Sequence, residues 1–145
     1  MKISNKIGVM QGRLTPMIDN KIQSFPKKNW AKEFRLAKKL NLKYIEWTLD
    51  YKDIFLNPIF VKSEIKKISF LKKKYSIKII SLTGDCFMQK PFWKVKKSKK
   101  LIEDFKRIIK ACGSLKIKYI VIPIVDKGKI QKKSQEIKLI DELNK

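Results

Sequence analysis

Leu42-Lys43-Tyr44-Ile45, "LKYI", returns in kind as Ile77-Lys78-Ile79-Ile80 and Ile117-Lys118-Tyr119-Ile120, 35 and then 40 residues further along. Each copy opens a β-branched or aromatic run of strand length, and each follows an amphipathic stretch that closes on a turn signal. Lys6-Ile7-Gly8-Val9 is a weaker first copy. The stretches between the copies carry helical spacing. Trp30, Phe34, Ala37 and Leu40 recur at three and four, with Asn29 placed to cap the start and Asn41 to stop the end. Ser63 is placed to cap a second helix that aligns Ile65, Ile68, Leu71 and Tyr75. A third aligns Leu101, Phe105, Ile108 and Cys112 and is expected to end at Gly113. Ser134 is expected to start a fourth, with Ile137, Ile140 and Leu143 at steps of three.

The order β-α-β-α-β-α-β-α implies parallel strands joined by right-handed crossovers. "IKIISL" and "YIVIPIV" have the near-continuous apolar character of strands buried on both faces. Two architectures are built from such units, the open doubly wound sheet and the eight-stranded barrel. A whole barrel takes about 250 residues, and four units in 145 residues supply about half of one. Residues 1–145 are read as a single domain.

The formal charge of +23 invites a nucleic-acid reading. Arg, however, occurs only at 13, 35 and 107, whereas base-edge reading relies on its bidentate fork. A chain rich in Lys and Ile and poor in Arg and Ala is what an AT-rich genome writes onto any fold. Nucleic acid is therefore not the expected partner, and a Lys-rich binding module using "KPFWKVKKSKK" is the alternative, with Phe92 and Trp93 as a stacking platform or a lid. Two cysteines, at 86 and 112, make no disulfide framework, and no apolar run reaches membrane-spanning length. A cytoplasmic protein with no membrane partner is expected.

Ligands of parallel α/β folds bind at the carboxyl ends of the strands. Gln11, Gly12 and Arg13 follow the first strand. Glu46, Trp47 and Asp50 belong to the second, Thr83, Gly84 and Asp85 end the third, and Asp126 and Gly128 end the fourth. Alternation puts Tyr44, Glu46 and Thr48 on one side of their strand and Ile45, Trp47 and Leu49 on the other. Gln11, Arg13, Glu46, Asp85 and Asp126 are the candidate binding residues, with Glu46 and Asp85 the best candidates for catalysis. Asp85 and Asp126 are equally readable as turn or capping residues, and Glu46 as half of an internal ion pair with Arg13 or a neighbouring Lys. The absence of His removes Ser-His-Asp triads and His-ligated zinc. No Gly-rich phosphate fingerprint is present. A carboxylate site for Mg²⁺ or Mn²⁺ from Glu46, Asp85 and Asp126 would be thin in ligands.

"GVMQGRLTP", "IQSFPKKNWAKEFRLAKKLNLKYIEW", Asn57-Pro58, "GDCFM" and "IPIVDKGKI" together resemble the N-terminal half of the xylose isomerase-like TIM-barrel family, in its sugar phosphate isomerase/epimerase branch. The resemblance implies a parallel (β/α)₄ half of a (β/α)₈ barrel that binds a sugar or sugar phosphate. In the whole family the reaction is aldose–ketose isomerisation or epimerisation through an enediolate, assisted by a divalent metal. Gln11 and Arg13 match the signature at the end of strand one, and Glu46 the acidic residue of strand two. The family's metal ligands lie on strands of the second half, so this chain is expected to hold no cofactor itself and to be inactive alone. Its expected partners are the sugar, a C-terminal half, or a second copy of the chain.

Overall fold

The computed structural model describes residues 7–18 and 24–145; Lys6, in the first copy of the repeat, lies outside them. Four parallel strands, β1 (Gly8–Met10), β2 (Tyr44–Thr48), β3 (Ser81–Thr83) and β4 (Tyr119–Val121), lie in the order β1-β2-β3-β4. Five helices accompany them: α1 (Trp30–Lys39), α2 (Lys62–Tyr75), α3 (Asp85–Gln89), α4 (Lys99–Leu115) and α5 (Lys133–Leu143). Met10 stands opposite Glu46, Thr48 opposite Thr83, and Thr83 opposite Val121. A doubly wound sheet reverses direction at a switch point, and no reversal occurs here. Each right-handed crossover moves one strand further the same way, which keeps the crossover helices on one face.

Burial along β2 records that asymmetry. Ile45, Trp47 and Leu49 are fully buried on the helix side, packed with Phe34 and Ala37 of α1, Ile68 and Leu71 of α2, and Phe105, Ile108 and Cys112 of α4. Tyr44 and Glu46, on the other side, are half-buried, and only Thr48 at the strand's end is buried there, where its hydroxyl meets Gln11 O. Tyr119 and Val121 of β4 are 62% and 44% exposed. Parallel sheets are ordinarily covered on both faces, and this one is covered on one. Trp47 anchors the core: its indole N–H donates to Asn57 Oδ1 at 3.0 Å, and its ring lies among Phe25 and Trp30. Asn57 also accepts from Ile59 N, capping the short 3₁₀ turn that starts at Pro58.

The repeated tetrapeptide marks the point where each helix stops. In α1, Leu42 N donates to Ala37 O at 2.9 Å and Asn41 N to Lys38 O at 3.0 Å. Ile77 and Ser76 make the same pair of bonds to Lys72 and Lys73, and Ile117 and Lys116 make it to Cys112 and Gly113. This is the Schellman motif three times over. Its left-handed residues are Asn41, Ser76 and Lys116, at φ 58°, 55° and 58°. The apolar residue that follows, Leu42, Ile77 or Ile117, turns inward against the core.

Several expected boundaries move. α2 starts at Lys62 after Val61, so Ser63 lies inside it and caps nothing. Asn29 does precede α1, but its side chain makes no capping bond. α4 passes through Gly113 and ends two residues later, because Lys116 supplies the left-handed turn. α5 starts at Lys133, and Leu139 is its buried residue, while Ile137, Ile140 and Leu143 face outward. Phe92 and Trp93 form no platform or lid: both are buried, Phe92 stacks on Phe105, and Trp93 donates to Gly128 O.

A non-glycine residue at positive φ carries about 1–2 kcal/mol of strain, and glycine there gives back about 0.5–1 through its freer unfolded chain. Ser76→Gly and Lys116→Gly are each expected to raise stability by about 0.5–1 kcal/mol in urea denaturation. A loss of stability in both would contradict the turn geometry.

Candidate functional site

β1 hands over to its loop at Gln11, whose backbone N–H still donates to Glu46 O at 2.9 Å. The Gln11 side chain is buried, and its Oε1 lies 3.5 Å from Thr48 N, a long hydrogen bond. Thr48 Oγ1 donates to Gln11 O at 3.3 Å. Gln11 Nε2 is buried and, among the described residues, has no partner. An unmet buried donor costs about 1–3 kcal/mol, so its retention calls for an acceptor.

Glu46 projects from the open face of β2. Ser81 Oγ donates to Oε2 and Thr83 Oγ1 to Oε1, each at 2.6 Å. Two hydroxyls from the neighbouring strand fix the carboxylate plane and leave its remaining lone pairs turned toward an open cleft of about 430 Å³. Gly8, Met10, Tyr44 and Ser81 line that cleft with it. Gly8 pairs with Tyr44 so closely that a Cβ would stand 2.8 Å from Tyr44 Cβ.

The loop carrying Arg13 is held by a carboxylate that carries no motif in the sequence. Glu33 of α1 is buried and accepts from Gly12 N at 2.9 and 3.0 Å, Leu14 N at 3.1 Å and Thr15 Oγ1 at 3.1 Å. Gly12 sits at φ 88°, where a Cβ would be 2.5 Å from Ser24 O. Arg13 is exposed between two tethered amides, those of Gly12 and Leu14. The signal for Glu33 was its position: three residues after Trp30 and four before Ala37, it is a charge on the apolar stripe of α1.

Asp50, past the end of β2, performs a matching task. Its Oδ2 accepts from Phe25 N at 2.8 Å and its Oδ1 from Gln89 Nε2 at 2.9 Å, while Gln89 Oε1 accepts from Tyr51 N at 2.7 Å. Loops after β1, β2 and β3 are thus joined through one carboxylate and one amide. Clefts of about 220 and 270 Å³ open beside Asp50, both bordered by Phe25, Lys27 and Lys52. Lys27 is engaged by Asp53 at 2.8 Å, and that contact holds the Asp53 carboxyl below its ordinary value.

Asp85 is buried as the first residue of α3. The adjacent Cys86 thiol is pushed far up, first by burial and then by the charge of Asp85. Asp126 is exposed in a 3₁₀ turn at φ 48°, a turn residue as one of its two readings had it. The strands bring the backbones of Gln11 and Glu46 together, and the Gln11 side chain lies against Thr48, the residue two beyond Glu46. Among the described residues no three carboxylates or thiols gather into a metal-holding group, so Glu46, Asp85 and Asp126 do not fit a divalent ion between them. Among the same residues no helix is long and apolar enough to cross a membrane. No protein-family model matches the sequence, and no curated protein matches it either.

Burial pushes the Glu33 carboxyl above its ordinary 4.5, against the lowering effect of its hydrogen bonds. With the folded value raised, the stability it contributes is fully present below the unfolded value and is lost as pH rises through the folded one. The stability difference between the wild type and Glu33→Gln should therefore shrink as pH rises from roughly 4 to 7. A difference that grows over that range would contradict the burial of this carboxylate.

Proposed function

We propose that this chain is the ligand-binding first half of a xylose isomerase-like (β/α)₈ barrel, acting on a sugar or sugar phosphate as part of an isomerase or epimerase. The observation that carries the reading is the buried Gln11 amide with no acceptor among the described residues, one strand away from a carboxylate fixed by two hydroxyls. A polyol presents what both need. One of its oxygens accepts from Gln11 Nε2, and a hydroxyl donates to Glu46. Arg13, exposed in the loop after β1, suits an anionic end. The singly wound strand order and the uncovered sheet face agree with half of a ring. The divalent cation used by such enzymes would be held outside these four strands, and no catalytic step is assigned to this chain alone.

One observation favours a second reading, association with a like half. β1 and β4 are both edge strands, and neither Gly8–Met10 nor Tyr119–Val121 carries a charge to discourage pairing. Sedimentation at a mass of twice 17.2 kDa would support it.

Titration of the isotope-labelled chain with a pentose or hexose phosphate, followed by NMR, tests the first reading. Shifts are expected at Gln11, Arg13 and Thr83, with affinity reduced at least about 5-fold by Gln11→Ala or Glu46→Gln. No shifts at these positions at tens of millimolar sugar would overturn it.

A further inference from the structure

Charge is unevenly placed on this molecule. Residues 34–45, 65–84 and 105–125 contain fifteen Lys and Arg and no Asp or Glu. These stretches are the bodies and ends of α1, α2 and α4, the first two residues of β2, and β3 and β4 whole. In parallel β/α units, helix ends and strand starts fall at the same pole, opposite the strand ends that carry the candidate site. Carboxylates of these units lie instead in the first two helical turns, as Glu33, Glu64, Asp85, Glu103 and Asp104 do, or within and after β2, as Glu46 and Asp50 do.

The three Schellman turns array the cations at that pole. Each places a lysine directly after its inward apolar residue, at Lys43, Lys78 and Lys118. Lys78 N donates to Lys43 O at 2.9 Å, so these two enter adjacent strands about 4.8 Å apart. Lys38 and Lys39 end α1, Lys72, Lys73 and Lys74 end α2, and Lys116 caps α4. Lys72 Nζ reaches Leu115 O at 2.8 Å, and its ammonium is destabilised first by burial and then by the charge of Lys116. Genome composition accounts for many lysines anywhere; it does not account for carboxylates missing from one pole.

We propose that this strand-start pole is a sequence-independent docking surface for the phosphate backbone of a nucleic acid strand. Lysine suits that partner. It contacts phosphate as a point charge, and the scarcity of Arg removes base reading while leaving backbone contact intact. A membrane is disfavoured because the exposed large apolar side chains of the pole, Ile7, Leu40 and Tyr119, stand on three separate elements and make no apolar face of an amphipathic helix. The pole is confined to the ends of α1, α2 and α4, since α5 carries Asp141 and Glu142 at its own end.

The test compares two triple variants of equal net charge by fluorescence anisotropy on a labelled single-stranded 20-mer of mixed sequence. Lys39→Glu/Lys78→Glu/Lys118→Glu alters the pole, whereas Lys62→Glu/Lys99→Glu/Lys100→Glu alters exposed helix starts, where negative charge also favours the helix. The pole variant is expected to bind about 30-fold more weakly than wild type, the other within about 3-fold of it. Independently of any variant, bound oligonucleotide should protect Lys39, Lys78 and Lys118 from acetylation and leave Lys62, Lys99 and Lys100 reactive. Equal weakening in both variants, uniform protection, no wild-type binding at about 0.1 M salt, or binding to anionic phosphatidylserine vesicles without binding to the oligonucleotide would each overturn the proposal.

Discussion

A strand that returns to a parallel neighbour through a helix does so in one hand, and three such returns in the same direction force the crossover helices onto one face of the sheet. Everything else in the molecule follows from that constraint. One face becomes the core, where Ile45, Trp47 and Leu49 meet the helices, and the other is left with Glu46, Ser81, Thr83 and Tyr119. The same winding sends strand ends to one pole and helix ends to the other. The carboxylates that organise the candidate site and the lysines that crowd the helix ends are therefore separated by topology as much as by sequence.

In a chain with 36 cationic residues, the carboxylates of the site are held mostly by neutral donors. Glu33 takes backbone amides, Glu46 takes two hydroxyls, and Asp50 takes an amide from the main chain and one from Gln89. Hydrogen bonds of this kind fix direction, which an ammonium on a flexible stem does not. The result is a tethered edge: the loops after β1, β2 and β3 are tied to α1 and to each other, and inside that frame the two N–H donors of Gln11 Nε2 are unmet among the described residues.

The alternation of β2, the helix of Trp30 to Ala37 and the βα order were all readable in the chain because burial on one face imprints a period on apolar residues. The helix ends were readable only in part. Asn41 announces a left-handed turn, but Ser76 and Lys116 do not, and Gly113 is a stop signal that α4 passes through. Long-range satisfaction was the least legible. Nothing local in "WAKEF" says that Glu33 will accept bonds from a loop nineteen residues earlier, apart from its place on the apolar stripe. "KPFWK" reads as an aromatic among lysines and is in fact core, because the chain folds back to lay Gly128 against Trp93.

The strand order is the claim on which all of this rests, and nuclear Overhauser contacts between backbone protons of the four strands test it most directly. The account predicts contacts from β1 to β2, β2 to β3 and β3 to β4, with Met10 opposite Glu46 and Thr83 opposite both Thr48 and Val121. Contacts from β1 to β3 or β4 within one chain, as a sheet wound in both directions would give, would contradict it.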